Sequence, residues 1–410
     1  MRIRDVETKA FFAQYIGRLF VHNFLKDSQV LLPKGDYERR YGKFPRYFSG
    51  WYLFVPAKDL AVGEIVHKKL NGLDLVAYRN KEGKPVIHSN RCSHMDGLFA
   101  PMGEVKDGKI ICAYHEYGFE DGVPKSGPKD FRHDPSKCIP CHTVREVNDL
   151  IMFWFDAESE NGVGEPTWEL DLPDVTRFPR RAFSRSITPT HMAPLHENII
   201  DDQHFMLLHK ANRYKSEPQT YHEKHRFKTK NTMRVDAPKV GPFTVKGVDG
   251  DEMDIHMDTE FHGLGIHINF VKIGNFEGRV IHCTTPIEDE VTEWTIALYM
   301  EPREFKFKFD VRTFMNMVYP WAMFAQTYYL HSQDRRVFFE KAEYRFYEDV
   351  PKGFEKVNAF RRWIQDELLG GKRPMGKNGS ATKFVPVEKL TQIRTKTNSK
   401  KSRKKPSPRA

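Results

Sequence analysis

The sequence predicts an α+β protein with two main units, and three features carry this prediction. Between residues 46 and 158, short apolar runs are separated by Gly, Asp and Asn without a long helical pattern, which favours a small all-β unit. Between residues 159 and 388, helical patterns flank consecutive strand-like runs, which is typical of an antiparallel sheet packed with helices. A chain of 410 residues is long enough for each unit to bury its own core.

Residues 1–45 are predicted to be mainly helical, because apolar side chains recur on one helical face at Phe12, Ile16, Leu19, Phe20 and Phe24. We expect this face to pack on the body of the protein, and peripheral contact with a membrane surface is the alternative. Polar Arg18 and His22 interrupt the apolar residues, so a signal peptide is not expected. No apolar run reaches the roughly 18 residues that a membrane-spanning helix needs.

Strands of the first unit are expected at residues 51–55, 75–78, 109–112 and 150–155. In the second unit, a helical pattern comes first, over residues 194–208. Strand-like runs follow it at residues 243–248, 267–273, 279–286 and 293–300. Asn275 and Gly278 are placed for a hairpin turn. Helical patterns return over residues 311–331 and 353–369.

The charge of the chain is concentrated at its C-terminal end. The formal net charge is +10, but residues 391–410 contain eight Lys or Arg and no acidic residue, which leaves +2 for residues 1–390. We predict a disordered basic tail over 389–410. It lacks the aromatic side chains that stack on bases, so a nucleic-acid partner is not expected. The five cysteines are too few for a disulfide scaffold and favour a reducing, cytoplasmic location.

Two Cys-His pairs form the strongest motif. Cys92 and His94 are followed by 17 residues and then by Cys112 and His115, each pair between strand-like runs. Two thiolates can bind one iron of a [2Fe–2S] cluster while two imidazoles bind the other, which is the Rieske arrangement. A four-coordinate zinc site is the alternative, although zinc usually takes pairs with other spacings.

A second cysteine motif needs a separate interpretation. Cys138, Cys141 and His142 match the Cys-x-x-Cys-His pattern of covalent haem attachment. No export signal accompanies it, so we interpret the motif as two ordinary cysteines, with a redox dithiol and haem attachment as alternatives. Cys283 falls in a strand-like run and is expected to be buried and inert.

The second constellation is Asp201, His204 and His209. Two histidines and one carboxylate can bind one face of a non-haem Fe(II) and leave positions open for O2 and substrate. Histidines five residues apart are about 140° apart on a regular α-helix, so we expect a π-bulge or a helix end between them. Two ordinary histidines on an amphipathic helix are the alternative.

These motifs resemble those of the Rieske-type non-haem iron oxygenases. Residues 48–155 resemble their Rieske domain, and the Asp-x2-His-x4-His pattern resembles their catalytic domain, a helix-grip-like sheet with helices. The sequence differs from the family motif after both cluster histidines: Met95 follows the first, where the family often has Arg-Gly, and Glu116 follows the second, where it often has Gly-Trp. These differences affect the expected reduction potential of the cluster and not the identity of its ligands.

The resemblance implies roles for individual residues. His204 and His209 would bind the mononuclear iron, with Asn198 beside it. Asp201 would be the carboxylate that joins an iron-ligand histidine to the partner subunit's His115. Asp334, in a Gln-Asp context after an aromatic helical pattern, is the predicted carboxylate ligand, with Asp310 and Glu340 as alternatives.

The implied function is that of an oxygenase component. The cluster would take electrons from a separate NAD(P)H-dependent reductase or ferredoxin, because the chain lacks a Gly-x-Gly-x-x-Gly loop and has too few further cysteines for a ferredoxin cluster. The iron would use O2 on the substrate. A bridge between subunits implies a cyclic homotrimer.

Residues 197–205 look most like those of components that act on steroids, such as 3-ketosteroid 9α-hydroxylases and cholesterol 7-desaturases. Phe205 and Met206 are therefore predicted to contact a small hydrophobic substrate. The alternatives are an oxygenase for aromatic acids, a Rieske electron carrier without oxygenase activity, and a zinc-binding interaction protein. Hydroxylation, demethylation and desaturation all remain open, as do the carbon attacked and the cognate reductase.

Overall fold

The computed structural model describes most residues of the two units. The described residues are 37–178, 180–208, 211–218, 224–236, 239–240, 243–244, 252–273, 276–300, 334, 337, 344, 346 and 354–371. The predicted helices before residue 37 and at 311–331, residue Asn275 and the predicted basic tail lie outside these ranges. None of the helices within them is long and apolar enough to cross a membrane.

The first unit consists of three small antiparallel sheets, as predicted. A short helix precedes them, α1 (Tyr37–Tyr41). The first sheet joins β1 (Gly50–Pro56), β10 (Leu150–Phe155) and β9 (Val144–Val147). The second joins β2 (Val66–Leu70), β3 (Leu73–Arg79) and β4 (Pro85–Ser89). The third joins β5 (Glu104–Lys106), β6 (Lys109–Ile111), β7 (Gly118–Glu120) and β8 (Val123–Ser126). The four predicted strands correspond to β1, β3, β6 and β10.

The second unit contains a seven-stranded antiparallel sheet of order β11-β19-β18-β17-β16-β13-β12. Its strands are β11 (Arg180–Thr188), β12 (Arg213–Pro218), β13 (Arg226–Asp236), β16 (Glu252–His262), β17 (Ile266–Ile273), β18 (Phe276–Glu288) and β19 (Val291–Met300). A small hairpin is formed by β14 (Lys239–Val240) and β15 (Phe243–Thr244). The helices are α2 (Met192–Glu197), α3 (Asp202–Leu207) and α4 (Glu355–Trp363), which continues into a π-helical turn, Ile364–Leu368.

The large sheet packs one face of its central strands against the first unit. Side chains of β17, β18 and β19 share a buried apolar cluster with side chains of β1 and β10: Ile266, Ile268, Ile281, Cys283, Ala297 and Tyr299 with Trp51, Leu53, Leu150, Met152 and Trp154. Burial of a large apolar side chain contributes about 1.5–3 kcal/mol. This shared core therefore fixes the first unit on the back of the large sheet.

We call the opposite face of the large sheet the inner face. Its buried residues are Tyr214, Ser216, Phe227, Thr229, Asn231, Thr259, Phe261, His267, Asn269, Val280, His282, Thr284, Trp294, Ile296 and Leu298. Cross-strand pairing places them side by side, for example Thr229 opposite Thr259 and Thr259 opposite Asn269. Alternate residues of a strand point to opposite faces, so the charged residues of β12, β13 and β16 lie on the outer face.

Helices cover the inner face at both ends. His196 of α2 contacts Thr284 Oγ1 at 3.0 Å and the Leu264 carbonyl oxygen at 2.8 Å. Phe360 of α4 packs on Phe227, with ring centroids 5.3 Å apart. The inner face is therefore part of the protein interior although several of its side chains are polar.

Buried histidines predict that mild acid destabilises the fold. Burial lowers the pKa of each of the following to about 4: His88, His142, His191 and His196. Unfolding restores a pKa near 6.5, so between about pH 6.5 and 4 the unfolded chain binds protons that the folded chain does not. Each histidine then costs the folded state roughly 3 kcal/mol at pH 4, against a typical net stability of about 5–15 kcal/mol.

The expected result is a free energy of unfolding that has its full value above about pH 6.5 and decreases steadily as the pH falls to 4. Urea titrations followed by tryptophan fluorescence measure it. Replacing buried His142 by Gln, which can still donate to the Trp154 carbonyl oxygen, should remove part of this pH dependence. The same replacement at exposed His256 is the control. A constant free energy between about pH 7 and 4.5 would contradict the prediction.

Candidate functional site

The two Cys-His loops have the same backbone construction. Cys92 N donates to Gly97 O at 2.8 Å, and Cys112 N donates to Tyr117 O at 2.9 Å. Four residues after each cysteine, Asp96 and Glu116 have positive φ angles of 56° and 57°. Their N–H groups donate back to the carbonyl oxygens of the two cysteines. The equivalent turns bring both pairs to the same end of the first unit.

The predicted ligands of these loops converge. The rings of His94 and His115 are 5.0 Å apart and nearly perpendicular. Both cysteines are buried at 2% exposure, and burial raises the pKa of the Cys92 thiol to about 11, with the neighbouring Cys112 thiol adding to it. A cationic metal would hold such thiols as thiolates. The two sulfur atoms are buried and the two imidazoles are less buried than they are, which matches the two different irons of a Rieske cluster.

Gly97 supports this fit. A Cβ atom at this position would lie 3.0 Å from Cys112 Sγ, so only glycine leaves the sulfur its space. Within the described residues, no group of three His, Cys, Asp or Glu side chains is placed to hold a single metal ion. A [2Fe–2S] cluster takes only two protein ligands on each iron, so a Rieske site does not need such a group.

Aromatic and polar neighbours fix the exposed side of these loops. Tyr117 stacks on the His94 ring, with centroids 4.1 Å apart and an angle of 17°. Tyr117 therefore places an aromatic ring against one of the predicted cluster ligands. Ser93 Oγ donates to the Lys137 carbonyl oxygen, which ties the loop before Cys138 to the first Cys-His pair.

The Cys138 and Cys141 motif follows a 3-10 turn and is held by backbone contacts. Cys138 has an extended backbone with φ −64° and ψ 138°, Ile139 N donates to Gly122 O, and Cys141 forms an isolated β-bridge with His88. Both cysteines are free, and burial raises the pKa of the Cys141 thiol to about 12, which disfavours a reactive dithiol. Two ordinary cysteines therefore remain the interpretation. Cys283 is buried, and burial raises its pKa to about 12.

The predicted helix over 194–208 is interrupted. After α2 comes a 3-10 turn, Asn198–Ile200, and Asp201 then adopts an extended conformation with ψ 102°. Asp201 Oδ1 accepts hydrogen bonds from Gln203 N at 2.9 Å and His204 N at 3.3 Å, and so caps α3. This break before His204 was not predicted, whereas the helix end that was expected between His204 and His209 corresponds to the end of α3 at Leu207. His209 lies outside the described residues.

His204 and Asp334 come together from positions 130 residues apart. His204 Nε2 and Asp334 Oδ1 are 3.8 Å apart, too far for a direct hydrogen bond, and both side chains are largely buried. His204 Nδ1 donates to the Asp201 carbonyl oxygen at 2.9 Å, which leaves the lone pair on Nε2, facing Asp334. Two ligands each about 2.1 Å from one ion lie roughly 3–4 Å apart, so the pair fits a shared metal. The alternatives Asp310 and Glu340 lie outside the described residues.

The two adjacent aspartates have different contacts. Asp201 contacts the His204 side chain through its carbonyl oxygen, while its carboxylate caps α3. Asp202 instead accepts from Ser216 N at 2.7 Å and pairs with Lys356 of α4. Asp202 is therefore engaged within its own chain, and Asp201 remains the predicted bridge to a partner subunit.

The other predicted site residues occupy varied surroundings. Asn198 lies, half-buried, in the 3-10 turn. Phe205 is buried and stacks on Tyr214 of the inner face, with centroids 3.9 Å apart. Met206 is 38% exposed. Neighbouring residues of a helix point in different directions, and the contact of Phe205 and Met206 with a substrate stays a prediction.

Sequence reasoning missed a buried ion pair beside this segment. Glu197 Oε1 accepts from Arg361 Nε at 2.7 Å and from the Tyr344 hydroxyl at 2.6 Å. The pair joins α2 to α4, and both charged side chains are 7% exposed. Its members are 164 residues apart, and no local pattern marks Arg361 as the partner of Glu197.

Family models match both units. Residues 50–139 match the Rieske [2Fe–2S] domain, and residues 153–365 match the C-terminal domain of 3-ketosteroid 9α-hydroxylase. The second match alone covers just over half of the 410 residues.

Several of the relatives have steroid or sterol names. A cholesterol 7-desaturase of Ciona intestinalis is 31% identical over 40% of this chain and 35% of its own length. A probable 3-ketosteroid-9-alpha-monooxygenase oxygenase component of Rhodococcus rhodochrous is 27% identical over 40% of this chain and 42% of its own. The matched regions thus span less than half the length of these relatives.

Solved structures share the fold. Apo dicamba monooxygenase superposes with a TM-score of 0.57 at 17% identity, covering 78% of this chain and 97% of the other. The terminal oxygenase of carbazole 1,9a-dioxygenase from Nocardioides aromaticivorans gives 0.56 at 14% identity, covering 78% and 95%. At these identities the likeness concerns the fold alone.

Proposed function

Because the chain belongs to the Rieske non-haem iron oxygenases with a 3-ketosteroid 9α-hydroxylase C-terminal domain, we propose that it is a terminal oxygenase component that oxidises a steroid or sterol. The observation that carries the proposal is the approach of His204, on α3, to Asp334 at 3.8 Å. A Rieske electron carrier without oxygenase activity has no need of this second pair.

The residues of the chain would divide the work between two centres. Cys92, His94, Cys112 and His115 would hold the [2Fe–2S] cluster, and His204, Asp334 and the predicted ligand His209 would hold the mononuclear iron. When bound, these groups supply one-electron transfer and O2 activation. The chain fixes the His204 tautomer through the Asp201 carbonyl oxygen and excludes water from the buried pair.

We propose a head-to-tail homotrimer, and exposed apolar side chains support it. Among the described residues, eight large apolar side chains are strongly exposed, and seven of them lie at the two centres. Four are in the Cys-His loops and three are beside His204 and Asp334: Met95, Leu98, Met102 and Tyr114, and Met206, Leu207 and Val337. Two apolar patches on one chain suit a heterologous interface that closes into a ring.

The inner face favours a neutral substrate over an aromatic acid. Its buried residues include no Lys, Arg, Asp or Glu within the described strands. A carboxylate substrate would need a cation there to offset its desolvation. α3 lies over this face through the stacking of Phe205 on Tyr214, so a substrate near His204 would meet neutral side chains.

Electron supply and location complete the proposal. A separate NAD(P)H-dependent reductase or ferredoxin would reduce the cluster. All five cysteines are free, which favours a reducing compartment, and we propose the cytoplasm.

The test is O2 uptake with product analysis, using purified holoenzyme, NADH and a generic reductase. A panel of cholesterol, 3-ketosteroids and aromatic acids separates the candidates. We expect substrate-dependent uptake and oxidised product with a steroid or sterol only. Oxidation confined to aromatic acids would support the second candidate, and a reducible cluster without any product would support the electron carrier.

A further inference from the structure

A continuous row of buried polar side chains crosses the inner face. Ser216 contacts Thr229 at 2.7 Å, Thr229 contacts Asn231 at 3.1 Å, and Asn231 contacts Thr259 at 2.9 Å. The row continues from Thr259 to Asn269 at 2.8 Å. It runs over four neighbouring strands, starting on β12 beneath α3.

The far end of the row fixes the direction of its hydrogen bonds. Trp294 Nε1 can only donate, and it donates to His282 Nδ1 at 3.1 Å. A neutral imidazole carries one proton, so the proton of His282 is on Nε2, 3.2 Å from the Asn269 amide. The amide oxygen of Asn269 must therefore face His282, and its nitrogen must face Thr259.

With these hydrogen-bond directions, each of the two asparagine side chains has hydrogen-bonding groups that the row does not use. An Asn side chain has two N–H groups and two acceptor positions. Asn269 donates one hydrogen bond to Thr259 and accepts one from His282. Asn231 accepts one from Thr229 and donates one to Thr259. Each amide thus retains one N–H, although Asn231 is 1% and Asn269 5% exposed. Buried polar groups normally find partners, so a ligand is expected at both.

Resting on the proposed function, we infer that the remaining N–H groups of Asn231 and Asn269 bind a neutral oxygen atom of the substrate, a hydroxyl or a ketone. This contact determines which carbon is presented to His204 and Asp334. An acceptor oxygen is favoured because the amides offer donors and no cation lies beside them on the inner face.

The positions of the two asparagines suit an elongated hydrocarbon with one polar end. Asn231 lies on β13, next to the strand beneath α3, and Asn269 lies two strands further on β17, but both side chains converge on Thr259 Oγ1, at 2.9 and 2.8 Å, so their amides are close enough to contact one oxygen atom. An apolar cluster adjoins the row on the same face: Leu195, Val280, Trp294, Ile296 and Leu298. A fused-ring skeleton can therefore cover apolar surface while its oxygen reaches the row.

The experiment compares matched ligands by equilibrium dialysis with the holoenzyme. The first pair is a 3-ketosteroid and the same steroid without its ketone, and the second is cholesterol and cholest-5-ene, which lacks the hydroxyl. One hydrogen bond corresponds to roughly tenfold in the dissociation constant, so the wild type should prefer the oxygenated member of a pair by about that factor. In Asn231→Leu and Asn269→Leu the ratio should fall towards one, with the affinity for the deoxygenated ligand unchanged.

The controls separate this inference from the proposed function. Asn212→Leu, at an exposed position, should leave the ratio unchanged, and thermal unfolding of each variant checks its folding. If steroids bind to the wild type without preference for the oxygenated member, the inference is wrong while the proposed function stands. The same holds if folded variants of both asparagines keep the wild-type preference. If neither steroid nor sterol binds, the proposed function fails and takes the inference with it.

Discussion

His204→Ala is expected to abolish substrate oxidation while leaving the [2Fe–2S] cluster intact. The side chain lies 3.8 Å from Asp334 in a buried position, and its Nε2 lone pair is aimed at that carboxylate. Loss of one of three ligands should release the mononuclear iron, and metal catalysis supplies several kcal/mol, so turnover should fall roughly a thousandfold or more. Asp334→Ala should have the same effect.

Product formation and metal content together measure this effect. The wild type should contain about three irons and two acid-labile sulfides per chain, and each variant about two irons and two sulfides. The visible spectrum of the cluster should be unchanged. His256→Ala, at an exposed position on the outer face, is the matched control and should keep full activity. Normal turnover in both His204→Ala and Asp334→Ala would sink the oxygenase assignment.

The sequence predicted four of the ten strands that the structure describes in the first unit, and β1 and β10 most clearly because their side chains are apolar in continuous runs. β1 and β10 are buried along their whole length, so composition alone marks them. In the second unit β17, β18 and β19 were predicted for the same reason, since one face packs on the first unit and the other is largely buried. The strands β11, β12, β13 and β16 were missed.

The missed strand β13 has a physical explanation in its side chains. It alternates Lys228 and Lys230 on the outer face with Thr229 and Asn231 on the inner face, so neither face is apolar over this stretch. A hydrophobic period cannot reveal a strand whose buried side chains are polar. Its partner β16 differs, because charged residues alternate there with Met253, Ile255, Met257 and Phe261; the strand was missed although the pattern is present.

The site was predictable where ligand chemistry fixes spacing. The four residues of the Cys-His loops and the helix end after His204 follow from local motifs, whereas the break before His204 was not predicted. Asp334 was chosen among three carboxylates from its context, and its distance from His204 now supports that choice. The contacts of Glu197 with Arg361 and of Asp202 with Lys356 join distant elements, so only the folded chain brings them together.

A mixture of two inactive variants is expected to recover about one quarter of the wild-type activity. Cys112→Ser should lose the cluster, and His204→Ala should lose the mononuclear iron. In the proposed cyclic trimer each cluster serves the iron of the next subunit, so an interface works when a His204→Ala chain precedes a Cys112→Ser chain. Random assembly of equal amounts gives that order at about one interface in four. Electron transfer within one chain would give no recovery.

Asp201 provides the decisive variant for the same experiment. Its carboxylate caps α3, and Asn caps helices about as well, so Asp201→Asn should keep the helix while removing the charge that bridges to the partner subunit's His115. Placed in the Cys112→Ser chain, which supplies the iron, it should suppress the recovered activity. Placed in the His204→Ala chain, which supplies only the cluster, it should have little effect. Equal suppression from both chains would mean that Asp201 acts on folding or assembly, because only a bridge at the iron-supplying subunit makes the two placements differ.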